Sequence, residues 1–80
     1  MQTDQIYSQL NDVFKEVFNK GDLIITDETS ADKIEEWDSL QHLVLMITIE
    51  KKFGIKFTAK ESQSFNNVGE MVKVIQSKLD

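Results

Sequence analysis

The spacing of apolar residues predicts a first amphipathic helix between Thr3 and about Lys20. Apolar side chains recur there at steps of three and four residues, which places them on one face of a helix. The predicted core face consists of Ile6, Leu10, Val13, Phe14 and Val17, with Tyr7 and Phe18 on its flank. Gly21 follows where a left-handed C-terminal cap is expected.

A second helix is predicted from Ser39 to Phe53, with two apolar arcs instead of one. The first arc is an adequate core stripe and consists of Leu45, Met46, Ile49 and Phe53. The second arc consists of Leu40, Leu43, Val44 and Ile47. It is either buried by other parts of the chain or exposed as a docking patch. Exposure is favoured for Leu40 and Val44, and both alternatives stay open for Leu43 and Ile47. His42 falls on the core side, which favours a packed or hydrogen-bonded histidine.

Gly54 ends this helix, and residues 55–57 form an extended apolar connector. Thr58 and Glu61 have the spacing of a capping box, which opens a short helix that ends near Ser64. A last amphipathic helix begins near Asn67, with a stripe of Val68, Met71, Val72, Ile75 and Leu79. The predicted fold is therefore all-α: a small four-helix bundle of three longer helices and one short helix, in a single domain over residues 1–80.

The segment between helices 1 and 2, residues 22–38, is longer than the usual connection of about 2–8 residues. Its apolar residues predict that it folds back onto the helices; they are Leu23, Ile24, Ile25, Ile34 and Trp37. Its many carboxylates suggest weak, nonspecific binding of divalent cations. An EF-hand is rejected, because Ala31 cannot ligate calcium and the required glycine is missing.

Composition excludes several classes of function. The chain has 80 residues, no cysteine and one histidine, which leaves no thiolate or histidine-based metal site and no cysteine nucleophile. No apolar run reaches the length of a membrane span, and no secretory signal is recognisable, so a cytoplasmic protein is expected. The net charge of −5 argues against nucleic acid and favours basic protein surfaces as partners. No base, nucleophile and oxyanion donor converge, so the chain is not predicted to be an enzyme.

The strongest chemical signal lies at the start of the second helix. Asp38 can accept hydrogen bonds from the free N–H groups of the first turn, and its charge suits the helix dipole. The Ser39 hydroxyl lies beside those donors, where a phosphate on its oxygen would occupy an anion site. Asp-Ser before an apolar run is, taken alone, more typical of a simple helix cap.

The order of these features over nearly the whole chain resembles an acyl carrier protein. The resemblance rests on the first helix, the acidic loop, Asp38-Ser39-Leu40, Glu50-x-x-Phe53, the connector 54–57 and Phe65-x-x-Val68. It implies that a separate phosphopantetheinyl transferase, with magnesium, transfers 4′-phosphopantetheine from coenzyme A to Ser39. It also implies that Asp38 caps the helix and helps the transferase recognise the site.

The same resemblance implies that the chain carries acyl groups as thioesters, in fatty acid, polyketide or another specialised pathway of lipid biosynthesis. Partners would be acyl-activating enzymes, acyltransferases and synthases, and the chain would be a monomer. The implied docking residues are Leu40, Val44, Ile47 and Glu50. The core that would shelter an acyl chain comprises Met46, Ile49, Phe57, Phe65 and Val68.

Departures from the family pattern suggest a specialised carrier. Fatty acid carriers usually show a row of acids along this helix, of which only Glu50 is in register. Gln41 and Val44 stand at positions that are commonly acidic, and Lys51 and Lys52 place positive charge at the end of this helix. An aminoacyl or peptidyl carrier with the same arm stays an alternative, and so does an unmodified helical adaptor.

Overall fold

A computed structural model describes residues 2–79 and shows four α-helices, with no strand in that range. The helices are α1 (Thr3–Phe18), α2 (Ser39–Phe53), α3 (Ala59–Ser64) and α4 (Val68–Leu79). A short 3₁₀ helix, Ala31–Lys33, interrupts the long segment before α2. The predicted bundle of three longer helices and one short helix is confirmed.

The core lies between α1, α2 and α4. The predicted inner stripe of α2 is buried, and the stripe of α4 is buried except for the half-buried Leu79. On α1 the prediction was wrong in one detail, because Phe18 is buried and Val17 only half-buried. Phe18 lies inside because its ring joins Phe14 and Trp37, with ring centroids 5.3–5.9 Å apart. Aromatic rings at this spacing gain from edge and tilted contacts in addition to burial.

The C-terminal cap of α1 differs from the prediction. Asn19, and not Gly21, adopts the left-handed conformation, with φ of 54°. The backbone N–H of Asn19 and that of Lys20 both donate to the Lys15 carbonyl. Asparagine tolerates this conformation better than most residues. The helix therefore ends at Phe18, three residues before the glycine.

The other predicted helix ends are confirmed. Gly54 caps α2 with φ of 67°. Thr58 and Glu61 form the capping box of α3, with hydrogen bonds of 2.9 and 3.1 Å between side chain and backbone. The Asn67 side chain accepts the Glu70 N–H at 2.9 Å and so caps α4.

The segment of residues 19–38, called here the long loop, folds back onto the bundle as predicted. Ile25, Ile34 and Trp37 are buried and Leu23 is half-buried. Ile24 is the exception, since 78% of its surface is exposed. The reason is local: the Asn11 side chain binds the backbone on both sides of it. Asn11 donates to the Leu23 carbonyl at 3.1 Å and accepts the Ile25 N–H at 2.7 Å, which leaves the intervening side chain in solvent.

The same loop is joined to the N-terminus of α4 by two backbone hydrogen bonds. Val68 donates to the Thr29 carbonyl at 2.8 Å, and Gly69 donates to the Asp27 carbonyl at 2.9 Å. These carbonyls satisfy N–H groups that a helix start leaves without intrahelical partners. Gly69 permits the close approach, since a Cβ there would lie 3.0 Å from the Asp27 Cβ and carbonyl oxygen. The middle of the long loop is thereby fixed against the start of α4.

Candidate functional site

Ser39 is the first residue of α2, and its side chain is exposed. The buried Trp37 anchors the chain just before it. Asp38 is the N-cap, as predicted: its Oδ1 accepts the Gln41 N–H at 2.8 Å. Within residues 2–79 the Ser39 hydroxyl has no hydrogen-bond partner. A visiting enzyme can therefore reach this oxygen without breaking a contact.

The backbone around Ser39 suits an anion. The Gln41 N–H is taken by the Asp38 side chain, and the His42 N–H donates to the Asp38 carbonyl at 2.8 Å. The N–H groups of Ser39 and Leu40, by contrast, have no partner among the described residues. Free donors at the positive end of a helix dipole favour a phosphate. A phosphodiester on the Ser39 oxygen would lie beside them, so the residues present fit the predicted cofactor.

The second apolar arc of α2 is exposed along its whole length. Leu40, Leu43, Val44 and Ile47 expose 67, 60, 41 and 53% of their surfaces. The alternative of burial, which the sequence left open for Leu43 and Ile47, is therefore wrong. Three predicted docking residues, Leu40, Val44 and Ile47, share one continuous helix face that starts next to Ser39.

Glu50, the fourth predicted docking residue, is only half-exposed and has a structural contact. Its Oε2 accepts the Phe57 N–H at 2.7 Å, which fastens the connector between α2 and α3. Sequence reasoning missed this contact, because the connector has no helical register that would indicate which side chain it meets. A role for Glu50 in docking stays a prediction.

His42 is half-buried and hydrogen-bonded on both ring nitrogens, as predicted for its position on the core side. Trp37 Nε1–H donates to His42 Nδ1 at 3.0 Å, and His42 Nε2 lies 2.6 Å from the Ser62 carbonyl oxygen. The indole can only donate and the carbonyl can only accept. These two contacts fit the tautomer that carries its proton on Nε2. The rings of His42 and Trp37 lie nearly in one plane, with centroids 6.0 Å apart and an interplanar angle of 15°, as the hydrogen bond between them requires.

A groove of about 530 Å³ opens beside Ser39. Three segments form its walls: the end of the long loop, the first turn of α2, and α3. The lining residues include Ala31, Trp37, Ser39, His42, Ser62 and Gln63. The sequence did not predict this groove, since no helical period reveals how α3 packs beside α2. Its volume is in the range of small-molecule sites, about 300–1,000 Å³.

Two surface carboxylates near the site are held by lysines. Glu36 lies 3.1 Å from Lys20, and this hydrogen bond lowers the pKa of the Glu36 carboxyl. The Thr58 N–H lowers the pKa of Glu61 most, and Lys78, at 2.9 Å, lowers it further. In residues 2–79 no three acidic or imidazole side chains gather as a metal site. None of the helices described is long and apolar enough to cross a membrane.

Comparison with known proteins gives one consistent result. No protein-family model matches the chain. The acyl carrier protein of Coprothermobacter proteolyticus is 27% identical over 79 residues, covering 99% of this chain and 96% of that protein. The acyl carrier protein of Helicobacter pylori is 28% identical over 71 residues, covering 89% and 91%.

The solved structures agree. The solution structure of a holo acyl carrier protein from Geobacter metallireducens superimposes with a TM-score of 0.86 and 37% sequence identity. The match covers 91% of this chain and 84% of that one. The agreement in helix order, in overall length and in fold leads to one conclusion: this chain belongs to the acyl carrier protein family.

Proposed function

We propose that Ser39 is the attachment site of 4′-phosphopantetheine and that the chain carries acyl groups on it. As a member of the acyl carrier protein family, the chain is a carrier and not an enzyme. One observation carries the assignment. The exposed Ser39 oxygen lies at the start of α2, beside two backbone N–H groups that have no partner in residues 2–79.

The attachment needs little from the chain beyond presentation of this oxygen. The Ser39 oxygen loses its proton to the transferase and bonds to phosphorus, while the adenosine bisphosphate part of coenzyme A leaves. Asp38 keeps the first turn of α2 formed through its bond to Gln41, so the oxygen has a fixed position. The N–H groups of Ser39 and Leu40 would be available to donate hydrogen bonds to a phosphodiester on this oxygen. When bound, the group supplies the thiol that a chain without cysteine lacks.

We infer further that the exposed arc of α2 docks the enzymes that load and use the carried group. Leu40, Val44 and Ile47 form an apolar face next to Ser39, and a face of this kind marks an interaction surface. Lys51 and Lys52 are exposed at the far end of the helix. Docking surfaces rich in arginine and lysine should therefore bind this helix weakly. This supports a carrier of a dedicated acyl-transfer pathway. We propose also that the carrier acts as a monomer in the cytoplasm.

Intact mass tests the attachment site. The purified chain is incubated with coenzyme A, magnesium and a broad-specificity phosphopantetheinyl transferase. We expect one added arm on the wild type and none on Ser39→Ala. Ser8→Ala, which removes another exposed serine hydroxyl, serves as the matched control and should be modified like the wild type. An unmodified wild type that is folded by circular dichroism would overturn the proposal.

The dedicated pathway is tested separately, with the carrier that bears the phosphopantetheine arm and a free thiol as the substrate. A housekeeping malonyl transferase should acylate it more slowly than it acylates the fatty acid carrier of the same cell. Equal rates would contradict a specialised role. The cargo itself can be read from the mass of the protein isolated from its source.

A further inference from the structure

His42 joins all three walls of the groove beside Ser39. Through Nδ1 it holds Trp37 of the long loop, and through Nε2–H it holds the Ser62 carbonyl of α3, at 3.0 and 2.6 Å. Neither partner can exchange its donor or acceptor role. A single imidazole therefore sets the spacing between the loop, α2 and α3 at this end of the bundle.

The position of His42 along α2 is as informative as its contacts. Residues three, four and seven positions apart share one face of a helix. Ser39, His42, Met46 and Ile49 follow each other at these spacings, from an exposed residue to a fully buried one. His42 is half-buried between them. It lines the groove and is followed on the same helix face by the buried Met46 and Ile49.

We propose that the contact between His42 and Ser62 is a gate between the groove and the core, and that it sets which carried groups are sheltered. The proposal rests on the function proposed above, since the carried group is attached at Ser39. A short group stays in the groove, outside the gate. A longer apolar chain reaches the His42–Ser62 contact before it can reach Met46 and Ile49, and it must separate α2 from α3 there.

The α3 side of the gate is built to move. No side chain of α3 is buried, and its six residues are joined to the rest of the bundle by few contacts. Besides the Ser62 contact, these include the Glu61–Lys78 pair at 2.9 Å. The rings of Phe57 and Phe65, which flank α3 on either side, contact each other with centroids 5.6 Å apart. A six-residue helix without a buried face can shift while α1, α2 and α4 stay packed against one another.

This arrangement makes sheltering depend on chain length. Breaking the hydrogen bond to Ser62 has a fixed cost, whereas burial of an acyl chain gains with every methylene group. Below a threshold length, the free energy gained by burying the acyl chain is smaller than the cost of breaking this contact. His42 therefore acts as a positioning residue that determines the shortest acyl chain able to enter the core.

The Met46 methyl group is a direct reporter of entry. The chain contains only three methionines, and Met46 lies on the face of α2 just beyond His42. Acetyl, butyryl, hexanoyl and octanoyl arms are transferred to Ser39 from the corresponding acyl-coenzyme A, and the methyl resonances are recorded for each. In the wild type we expect the Met46 resonance to move only from a certain length upwards. In His42→Ala it should move with an acyl group shorter by at least one member of the series.

Two further variants distinguish loss of the gate from a general loss of folding in His42→Ala. His42→Gln has an amide nitrogen that can donate to the Ser62 carbonyl, so it should restore the threshold of the wild type. Trp37→Phe keeps an aromatic ring against Phe14 but removes the indole N–H that orients His42. We expect its threshold to fall as in His42→Ala.

The outcomes separate this inference from the proposed function. Intact mass first establishes that each variant carries its acyl arm, so an unmodified protein counts against the attachment at Ser39. In loaded, folded protein, an unchanged threshold in both His42→Ala and Trp37→Phe would overturn the gate. A Met46 resonance that no acyl group moves would overturn it as well.

Discussion

The groove beside Ser39 has two walls that differ in how they are held. The long loop is held by buried side chains, by two side-chain bonds from Asn11 and by backbone bonds to Val68 and Gly69. The opposite wall, α3, has no buried side chain and is held mainly at its edges. Helix propensity does not explain this difference, because the long loop, which is mostly non-helical, is held more firmly than the helix α3.

This difference indicates that the two walls have different roles around Ser39, the proposed attachment site. A fixed loop determines where α2 begins and so where the Ser39 oxygen is presented to other enzymes. A weakly held α3 leaves room for the carried group. We therefore expect substitutions in the loop to lower the free energy of unfolding strongly. Substitutions in α3 should affect the groove more than the global stability.

The largest expected effect is loss of a buried loop side chain. Ile34 is 5% exposed, and Ile34→Ala should lower the free energy of unfolding by about 2–4 kcal/mol, from lost burial and the cavity that remains. Ile24→Ala is the matched control in the same loop. Because Ile24 is 78% exposed, its replacement should change stability by no more than about 0.5 kcal/mol. Urea denaturation followed by circular dichroism measures both; similar losses would contradict a packed loop.

The second-largest loss of stability is expected at the contact between the long loop and α4. A methyl group at residue 69 would lie 3.0 Å from the Asp27 Cβ and carbonyl oxygen. Gly69→Ala must push the loop away from α4, at an expected cost of about 1–3 kcal/mol. Around Gly21 there is nothing within 4 Å of a Cβ, so Gly21→Ala should be neutral or slightly stabilising. If both variants unfold at the wild-type urea concentration, the loop does not depend on this close approach.

Asn11 should have a smaller effect. Asn11→Ala removes both side-chain bonds to the loop, at an expected cost of about 1–2 kcal/mol, because the Ile25 N–H and the Leu23 carbonyl lose their partner. Asn11→Asp keeps an acceptor for Ile25 at 2.7 Å but cannot donate to Leu23. Its stability should fall between those of Asn11→Ala and the wild type. Hydrogen exchange of the Ile25 amide gives the local measurement: fast exchange in Asn11→Ala and slow exchange in Asn11→Asp are expected.

The helices and most of the core follow from the sequence, because an amphipathic period of 3.6 residues and the capping residues act locally. The N-cap of Asp38 and the exposure of Ser39 could be predicted for that reason. The hydrogen bonds of Asn11 could not be predicted, since a polar residue on α1 gives no sign that its partners lie in the long loop. The groove needs three segments to meet, and only the tertiary structure shows that His42 joins them. Ile24 shows the same limit: its apolar side chain predicted burial, but the two hydrogen bonds of the Asn11 side chain to the flanking backbone leave it exposed.

The smallest expected effect concerns the ion pair of α3. The Thr58 N–H and Lys78 lower the pKa of Glu61, so the charged carboxylate is favoured in the folded state. Its stabilising contribution is therefore present above the ordinary carboxyl pKa of 4.5 and is lost as the pH falls through the lower folded value. Glu61→Gln keeps an oxygen that can accept the Thr58 N–H but loses the charge that pairs with Lys78.

We expect Glu61→Gln to be slightly less stable than the wild type at neutral pH, and this difference to shrink as the pH is lowered below 4.5. Urea midpoints at several pH values measure it, with Glu16→Gln on the exposed face of α1 as the control for lost charge. Because Glu61 is exposed to solvent screening, the shift in midpoint should be small and should weaken with added salt. A loss as large as that of Ile34→Ala, independent of pH, would mean that α3 is held as firmly as the loop. The two walls of the groove would then not differ, and a gate at His42 would have no movable side.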